Sequence, residues 1–406
     1  MRYTIGQLAE IIDGDRGKNY PKQDEFYPQG YCLFLNTGNV TKEGLTFEEN
    51  QFITKEKDEA LRKGKLKRGD IVYTTRGTVG NAGYYNSNVP YENVRINSGM
   101  VILRANGEIV DARFLYQILK SEYYRPYFKQ YCTGSAQPQL PIKNFSQIYL
   151  NVPDIKTQHR IADILSAYDD LIENNQKQIK LLEEAAQRLY KEWFVDLRFP
   201  GHENTKIVDG VPEGWQYEKL GDLVKTTSGG TPSRRKSEYY VNGNIRWIKT
   251  KELNDRFIFE TEEHITEDAV KNSSAKVLPE GALIVAMYGA TIGKIGITAT
   301  EMACNQACCA FISFDDMISK EYLYCWLMDN REYLVSQGKG AAQSNLSQEM
   351  IRNFSLLCPD KKVIKIFTEI VTTMLENKRV LENKILMLSE ARDDLLPKLM
   401  SGEVEV

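Results

Sequence analysis

The sequence predicts an α+β protein with two pseudo-repeated mixed α/β domains, separated by two long antiparallel helices that form a coiled coil. Three observations predict this fold class. Short motifs recur in the same order in both halves, β-rich runs stop at a Pro-Asp pair in each half, and a heptad-spaced apolar stripe follows each pair. At 406 residues the chain is also too long for one ordinary core.

The composition is that of an ordinary globular protein, with 42% hydrophobic and 26% charged residues. No run approaches about 18 consecutive apolar residues, and the first residues lack a charged-then-apolar signal pattern. We therefore expect no membrane contact and a cytoplasmic location. The seven cysteines are scattered and the three histidines lie far apart, which predicts reduced packing cysteines and no metal site.

The clearest repeat joins residues 134–154 to residues 340–360, where seven of 21 positions are identical. Further matches keep the same order along the chain: IGQL (5–8) with LGDL (220–223), LKRGDIVYTTRGTVG (66–80) with LPEGALIVAMYGATIG (278–293), and FLYQIL (114–119) with YLYCWL (322–327). The constant order predicts a tandem duplication. Its period exceeds that of solenoids, whose units run to about 20–50 residues.

Each copy changes character at the shared Pro-Asp pair, residues 153–154 and 359–360. Before the pair come short β-rich runs broken by Gly and Asn turns. The glycine-rich segments RGTVGNAG and YGATIGKIG lie at matching places in these runs, so we interpret both as strand–turn–strand units. After the pair comes an uninterrupted helical pattern. We predict a first domain at 1–152, a first long helix at 153–198, a linker at 199–215, a second domain at 216–358 and a second long helix at 359–406.

The two long helices carry apolar residues at alternating steps of four and three, which is coiled-coil spacing. The predicted helix–helix core consists of Ile161, Leu165, Ile172, Ile179, Leu182, Leu189, Phe367, Val371, Leu381, Ile385, Leu388 and Leu395. Because each helix follows an equivalent domain, a two-fold pairing would run them antiparallel. Asn175 and Lys378 interrupt the stripe, and they either specify the register or face outward.

Few catalytic patterns are present. The chain has no G-x-x-x-x-G-K-[ST] loop, no G-x-G-x-x-G motif, no G-x-S-x-G elbow and no H-E-x-x-H pair. We therefore expect a protein that is not an enzyme. Two equivalent domains on long helices instead suggest a device that reads two separated sites, and duplex DNA is the natural ligand since its major-groove faces recur about every 34–36 Å.

The net charge of −3 does not exclude DNA, because the local field is what matters. Residues 62–76 and residues 225–256 each carry a local excess of +5. Arg, Lys, Asn and Gln are the side chains that read base edges. The candidate DNA contacts on Gly-bounded loops are Lys18, Asn36, Arg76, Arg95, Asn97, Gln137, Gln139, Ser233, Arg234, Arg235, Lys249, Lys251, Tyr288, Lys294, Asn305, Gln343 and Asn345.

The chain resembles the specificity (S) subunits of type I restriction–modification systems. The resemblance is carried by the paired windows GSAQPQL…VPD and GAAQSNL…CPD, by the long helices that follow them, and by the openings GVPEGW and LGDLVKTTSGGTPSR. It covers essentially the whole chain. One departure is that residues 1–30 lack the GGTPS form of residues 229–233, and DGDRGKNYP (13–21) takes its place.

The resemblance implies that each domain is a target-recognition domain for one half of a split, asymmetric DNA sequence. The helices would set the spacer and dock two modification (methyltransferase) subunits, and restriction/translocase subunits would complete the nuclease. S-adenosylmethionine and ATP with Mg²⁺ would bind those partners, and this chain would bind no cofactor. Gln137 and Gln343 occur in both copies, so a backbone contact or a role in the domain–helix joint suits them better than base reading. The alternative is a coiled-coil scaffold with two protein-binding domains and no role on DNA.

Overall fold

The computed structural model describes residues 1–134, 137–338 and 345–405. The chain divides into two compact units. The first comprises Met1–Ile172 with Met387–Val406, and the second comprises Glu173–Leu386. The unit limits fall inside both long helices, so they do not follow the predicted domain limits. Each unit takes in a segment of both helices because those segments share its hydrophobic core.

The first unit contains two main sheets in the part of the chain described. Its elements are β1 (Arg2–Thr4), α1 (Ile5–Leu8), β2 (Ala9–Asp13), β3 (Cys32–Leu35), β4 (Phe52–Ile53), α2 (Lys55–Ala60), β5 (Ile71–Thr74), β6 (Ala82–Tyr84), β7 (Val94–Ile96), β8 (Met100–Ala105), α3 (Ala112–Lys120), α4 (Arg125–Lys129), α5 (Ile142–Ser146), β9 (Tyr149–Asn151), the part of α6 (Ile155–Tyr190) up to Ile172, and the end of the C-terminal helix from Met387. One sheet has the order β2-β8-β5-β6 and is antiparallel. The other has the order β4-β3-β7, with β3 parallel to β7.

The second unit repeats this plan. Its elements are the part of α6 from Glu173, a π-helical turn (Lys191–Val195), β10 (Ile207–Val208), β11 (Val211–Pro212), β12 (Gln216–Lys219), α7 (Leu220–Leu223), β13 (Val224–Ser228), β14 (Ile245–Ile248), β15 (Arg256–Ile258), β16 (His264–Ile265), α8 (Glu267–Lys271), β17 (Val277–Leu278), β18 (Leu283–Ala286), β19 (Ile295–Thr298), β20 (Met302–Cys304), β21 (Cys308–Phe314), α9 (Lys320–Asp329), α10 (Arg331–Gln337), α11 (Gln348–Arg352), β22 (Ser355–Cys358) and the part of α12 (Lys361–Ser401) up to Leu386. The main sheets have the orders β13-β21-β18-β19-β15 and β16-β14-β20-β17.

The duplication predicted from the sequence is confirmed element by element. The motifs IGQL and LGDL form α1 and α7, and FLYQIL and YLYCWL lie in α3 and α9. Both glycine-rich segments join antiparallel strands, β5 to β6 and β18 to β19, as the strand–turn–strand interpretation requires. In each copy the last strand pairs with the first, β9 with β1 and β22 with β12. The second copy adds β15, which lies parallel to β19, and β17, which lies antiparallel to β20.

The central strands are buried on both faces, which explains their continuous apolar runs. All four residues of β5 and all four of β18 are buried. Each strand has neighbours on both sides, and helices α3 and α9 pack in the adjacent hydrophobic cores. The cysteines contribute to this packing, since all seven are free and Cys132 alone is not buried. The described residues hold no group that could bind a metal ion and no helix suited to cross a membrane.

The shared Pro-Asp pair marks the start of each long helix. The Oδ1 atom of Asp154 accepts hydrogen bonds from the backbone N–H groups of Lys156 and Thr157, at 3.1 and 3.2 Å. Asp360 accepts in the same way from Lys362, at 2.7 Å. A capping carboxylate satisfies amide groups that have no partner inside the helix. The pair is therefore repeated because each copy must end a strand and begin a helix within a few residues.

The heptad stripe faces inward along both helices, as predicted. All twelve predicted core residues are buried or half-buried. In the first unit, Ile161 and Leu165 share a core with Leu396 and Leu399. In the second, the ring of Phe367 lies 6.0 Å from that of Trp193.

Ion pairs give the direction of the two helices within each unit. In the first unit, Asp169 of α6 pairs with Arg392 of α12. In the second unit, Glu183 pairs with Lys378. A second contact within each unit supplies the direction: in the first, Leu165 of α6 shares a core with Leu396 of α12, and in the second, the ring of Tyr190 lies 6.4 Å from that of Phe367. Within each unit the residue number therefore rises along α6 as it falls along α12, so the helices run antiparallel.

The two polar residues of the stripe face inward, which resolves the alternatives left open by the sequence. Asn175 is buried, and Lys378 is 1% exposed. The Nζ atom of Lys378 lies 2.6 Å from Glu183 Oε1 and donates to the backbone oxygen of Asp255 at 2.6 Å. Burial alone would lower the pKa of Lys378, but the phenol of Tyr324 and the carboxylates of Glu382 and Glu183 outweigh it and raise that pKa. A buried charge that finds partners in one register only disfavours other registers.

Replacing Phe367 with Ala should destabilise the protein by about 3–5 kcal/mol, because it leaves a cavity where α12 packs against the core. Phe367 is fully buried, whereas its neighbour Ile366 is 42% exposed. Ile366→Ala is therefore the matched control and should change the free energy of unfolding by about 0.5 kcal/mol or less. Urea unfolding of both variants measures the difference. Equal effects would contradict the assigned helix face.

Candidate nucleic-acid interface

The turns at one edge of the first unit are joined by backbone hydrogen bonds. Asn97 N–H donates to Leu35 O at 2.9 Å, and Arg76 N–H donates to Gly99 O at 3.1 Å. Arg76 also pairs with Gln139 in a single antiparallel bridge. We call residues 36–38, 75–77, 97–99 and 137–139 the first turn cluster. It brings together candidates that are up to about a hundred positions apart in the sequence.

The second unit builds the same arrangement from its own turns. Asn305 N–H donates to Ile248 O at 2.9 Å, and Met287 N–H donates to Ala307 O at 2.8 Å. Tyr288 pairs with Asn345 in a single antiparallel bridge. We call residues 249–251, 287–289, 305–307 and 345–346 the second turn cluster. The two clusters thus share one backbone arrangement, which we call the frame. In it, position 76 corresponds to 288, 97 to 305, and 139 to 345.

A glycine permits the close crossing beside each cluster. A Cβ atom on Gly14 would lie 2.2 Å from the backbone oxygen of Asn97, and one on Gly229 would lie 1.8 Å from the backbone oxygen of Cys304. Real side chains cannot approach so closely, so only glycine fits at these two positions. Gly14 therefore takes the place of the first glycine of GGTPS, although the surrounding sequences differ.

Many of the predicted contacts are exposed on the loops where we expected them. These are Lys18, Arg76, Gln137, Gln139, Ser233, Arg234, Arg235, Lys251, Tyr288 and Asn345. Gln343 lies outside the described residues. Within the described chain, no side-chain hydrogen bond or ion pair engages Arg76, Gln139, Tyr288 or Asn345. These side chains are therefore available to a ligand.

Three predicted asparagines hold the turns together. The Oδ1 atom of Asn97 accepts from Gly99 N–H at 2.9 Å, and that of Asn305 accepts from Ala307 N–H at 3.1 Å. Asn36 accepts from Gly38 N–H at 2.7 Å in the same manner. Asn side chains stabilise turns by such local bonds. Asn97 and Asn305 occur at matching positions because the two copies share one backbone conformation there. The match is therefore weak support for base reading.

Arg95 is the clear exception among the candidates, and its assignment as a DNA contact is corrected. It is 5% exposed, and its Nε atom donates to Asp58 Oδ1 at 2.5 Å. Its other two nitrogens donate to backbone oxygens of Asp58, Leu61 and Lys63. A buried guanidinium with these partners secures the strand β7 to the segment around α2, and it is not available to DNA.

The positive excess of residues 225–256 is largely neutralised by the fold. Glu260, Glu262 and Glu263 follow this window and pair with four of its cations, Arg234, Arg246, Lys249 and Lys251. Counting these three acids lowers the excess from +5 to +2. Lys294 is likewise paired with Asp255, at 2.7 Å. Hydrogen bonds from Lys249 and Arg234 hold the pKa of Glu263 below its usual value, so the pairs stay charged at neutral pH.

Gln306 is an exposed residue of the second turn cluster that our sequence reasoning did not name. It is exposed at the tip between β20 and β21, and its Oε1 atom accepts a hydrogen bond from Thr231 Oγ1. Ser98 occupies the corresponding position in the first cluster. The available signal was the recurrence of Asn97 and Asn305, since the residue after each turn-forming asparagine occupies the same place in both copies; Gln306 is exposed there, whereas Ser98 is half-buried.

Replacing Asp58 with Ala should destabilise the protein by about 3–5 kcal/mol, because Arg95 would remain buried without a counter-charge. Burial alone would raise the pKa of Asp58, but hydrogen bonds from Lys65 and Arg95 outweigh it and hold the pKa below its usual value. The contribution of the ionised Asp58 carboxylate to the free energy of unfolding should therefore be present at neutral pH. It should disappear as the pH falls through that lowered pKa. Lys65→Ala removes the more exposed partner and should cost about 1 kcal/mol or less. Denaturant unfolding at pH 7 and at pH 3 tests both statements.

Comparison with known proteins agrees with this duplicated architecture. The profile of the type I restriction modification DNA specificity domain matches residues 1–184 and again residues 212–387. The HindI specificity subunit of Haemophilus influenzae is 28% identical, covering 98% of this chain and 100% of that protein. The MjaIX specificity subunit of Methanocaldococcus jannaschii is 27% identical, covering 86% of this chain and 81% of that protein.

A solved structure supports the fold independently. The S subunit of the type I restriction–modification system from M. genitalium superimposes with a TM-score of 0.59 at 15% identity, covering 98% of this chain and 95% of that one. At this identity the similarity establishes the fold alone. The sequence profile, in contrast, spans both repeats, and the chain therefore belongs to the type I restriction–modification DNA specificity family.

Proposed function

We propose that this chain is the DNA-recognition subunit of a type I restriction–modification enzyme, in which each unit reads one half of a split, asymmetric duplex sequence. The observation that carries the proposal is that one turn cluster is built twice with different exposed side chains. A shared backbone frame can approach the duplex in the same way in both units. Different side chains on that frame then select different bases.

The exposed cations beside the clusters suit contacts with phosphate. Lys18 lies on the loop after β2 and Arg235 on the loop after β13, and both are exposed. Arg234 stacks over Tyr240, at 4.3 Å from the ring centroid, and pairs with Glu263. Because phosphate contacts position a protein on DNA without reading sequence, we assign Lys18 and Arg235 to positioning.

The long helices offer a surface for partners. Ile164 and Leu181 of α6 are exposed, as are Ile370 and Met387 of α12, and each residue lies 206 positions from its counterpart. Apolar side chains exposed at matching places favour two copies of one partner. We propose that these partners are two modification subunits and that restriction/translocase subunits join them. S-adenosylmethionine and ATP with Mg²⁺ would bind those subunits, and this chain would supply no catalytic group.

A gel-shift experiment with random duplexes tests DNA binding by the complex of this chain with a co-expressed modification subunit. Neutralising phosphates releases counterions, so the affinity should fall steeply as salt rises. Arg235→Ala should weaken binding to all sequences alike and reduce the salt slope by about one. The control is Lys271→Ala, which removes an exposed cation on α8 and should have little effect. Sequence-independent binding by the wild-type complex would contradict the proposal, and the absence of binding would favour the scaffold alternative.

Lengthening both helices tests whether they set the spacer. Seven residues inserted after Ile172 and seven after Leu386 preserve the heptad pattern and add about 10 Å to each helix. The preferred spacer should lengthen by about three base pairs, at roughly 3.4 Å each. Sequencing of methylated sites measures the spacer. Insertion into one helix only is the control, and it should destabilise the chain because the two stripes no longer align.

A further inference from the structure

We infer that the facing pairs Arg76 with Gln139 and Tyr288 with Asn345 are the specificity determinants of the two units, and that Arg76 reads a guanine and Asn345 an adenine. The inference rests on the proposed function and specifies which residues of each turn cluster carry the sequence information. It follows from comparing two copies of one frame within one chain.

The comparison first separates the polar side chains that build the frame from those that do not. Asn97 and Asn305 are the same residue at corresponding positions, and both accept a hydrogen bond from a backbone N–H of their own turn. Asn36 and Lys249 also correspond, and both are engaged: Asn36 with Gly38, and Lys249 with Glu262 and Glu263. These side chains maintain the turns, so they are poor candidates for discriminating between bases.

The two facing pairs behave differently. The backbone around them is matched, since Leu140 N–H donates to Thr75 O and Leu346 N–H donates to Met287 O, each at 2.9 Å. The side chains at positions 76, 139, 288 and 345 are exposed. They also differ between the copies, Arg against Tyr and Gln against Asn. A matched backbone with unmatched, exposed side chains is the pattern expected where two readers recognise different sequences.

The geometry of the bridge places each pair side by side. Residues that face each other across an antiparallel bridge have Cβ atoms about 4.5–5.5 Å apart, on the same face. Arg76 and Gln139 therefore leave the surface together, as do Tyr288 and Asn345. Two adjacent side chains on a rigid turn can contact one base pair or two successive ones. Glycines beside the pairs, Gly77 with φ +70° and Gly289 with φ +80°, leave space for a close approach.

The hydrogen-bonding groups of these side chains indicate which bases they would recognise. A guanidinium donates two hydrogen bonds to O6 and N7 of guanine in the major groove, which is a match specific to that base. A carboxamide accepts from N6 and donates to N7 of adenine, which suits Asn345 and Gln139. Tyr288 offers a ring and one hydroxyl, and it cannot replace the two donors of Arg76. The first half-site should therefore contain a guanine at a position where the second does not require one.

The test is methylation by the complex of this chain with its modification subunit on a duplex library randomised at each half-site position. Arg76→Gln should lower the preference for one guanine in the first half-site by about 10- to 100-fold. The second half-site should be unchanged. Asn345→Ala should have the reciprocal effect, relaxing the preference for one adenine in the second half-site only.

The control is Arg62→Gln, which removes another exposed arginine of the first unit, one that lies 4.0 Å from Asp15 and outside the turn cluster. It should leave both half-sites unchanged. A uniform loss of methylation in Arg76→Gln, with no change in base preference, would show a phosphate contact and overturn the inference. Unaltered specificity in both variants would overturn it as well. If the wild-type complex already lacks sequence preference, the proposed function fails and the inference fails with it.

Discussion

Neither long helix can bury its apolar stripe alone, and much of the architecture follows from that constraint. Each stripe extends over many turns, so leaving it in water would expose a large apolar surface. Within each unit, α6 and α12 cover each other and complete a core that also contains residues of the globular part. Segments about two hundred positions apart in the sequence are therefore held together in both units.

Buried charged residues restrict the register in which the two helices can pack. Lys378 and Asp169 are polar residues at the helix interface, and each is engaged by partners from more than one element. Apolar stripes alone tolerate a shift by one heptad, because Leu or Ile meets an equivalent residue again. A charge that would lose its counter-charge on shifting does not tolerate it. The cost of burying these groups is offset by a unique alignment of the two helices within each unit.

Because the chain contains two copies of one fold, corresponding residues can be compared within it. The comparison distinguishes residues that maintain the fold from residues that are candidates for recognition. Residues retained at corresponding positions, such as Asn97 and Asn305, make the same backbone hydrogen bonds in both copies. The side chains that differ at corresponding exposed positions, such as those of Arg76 and Tyr288, make no hydrogen bond within the described chain. The first group is explained by the turn that both copies need. The second group makes no contact that explains its side chains, and this is the observation from which we infer a role in recognition.

The sequence by itself determined the duplication, the α+β class, the helix starts at Asp154 and Asp360, and the inward stripe. All of these depend on local periodicity, capping and repetition, which are properties of neighbouring residues. Only the tertiary structure decided which polar side chains are free. Arg95 is occupied by Asp58, 37 positions away, and the cations around Lys249 are neutralised by Glu260, Glu262 and Glu263 from beyond the counted window. Burial and ion pairing depend on contacts that chain order does not reveal, so a basic residue on a loop has the same appearance in the sequence whether it faces DNA or a carboxylate.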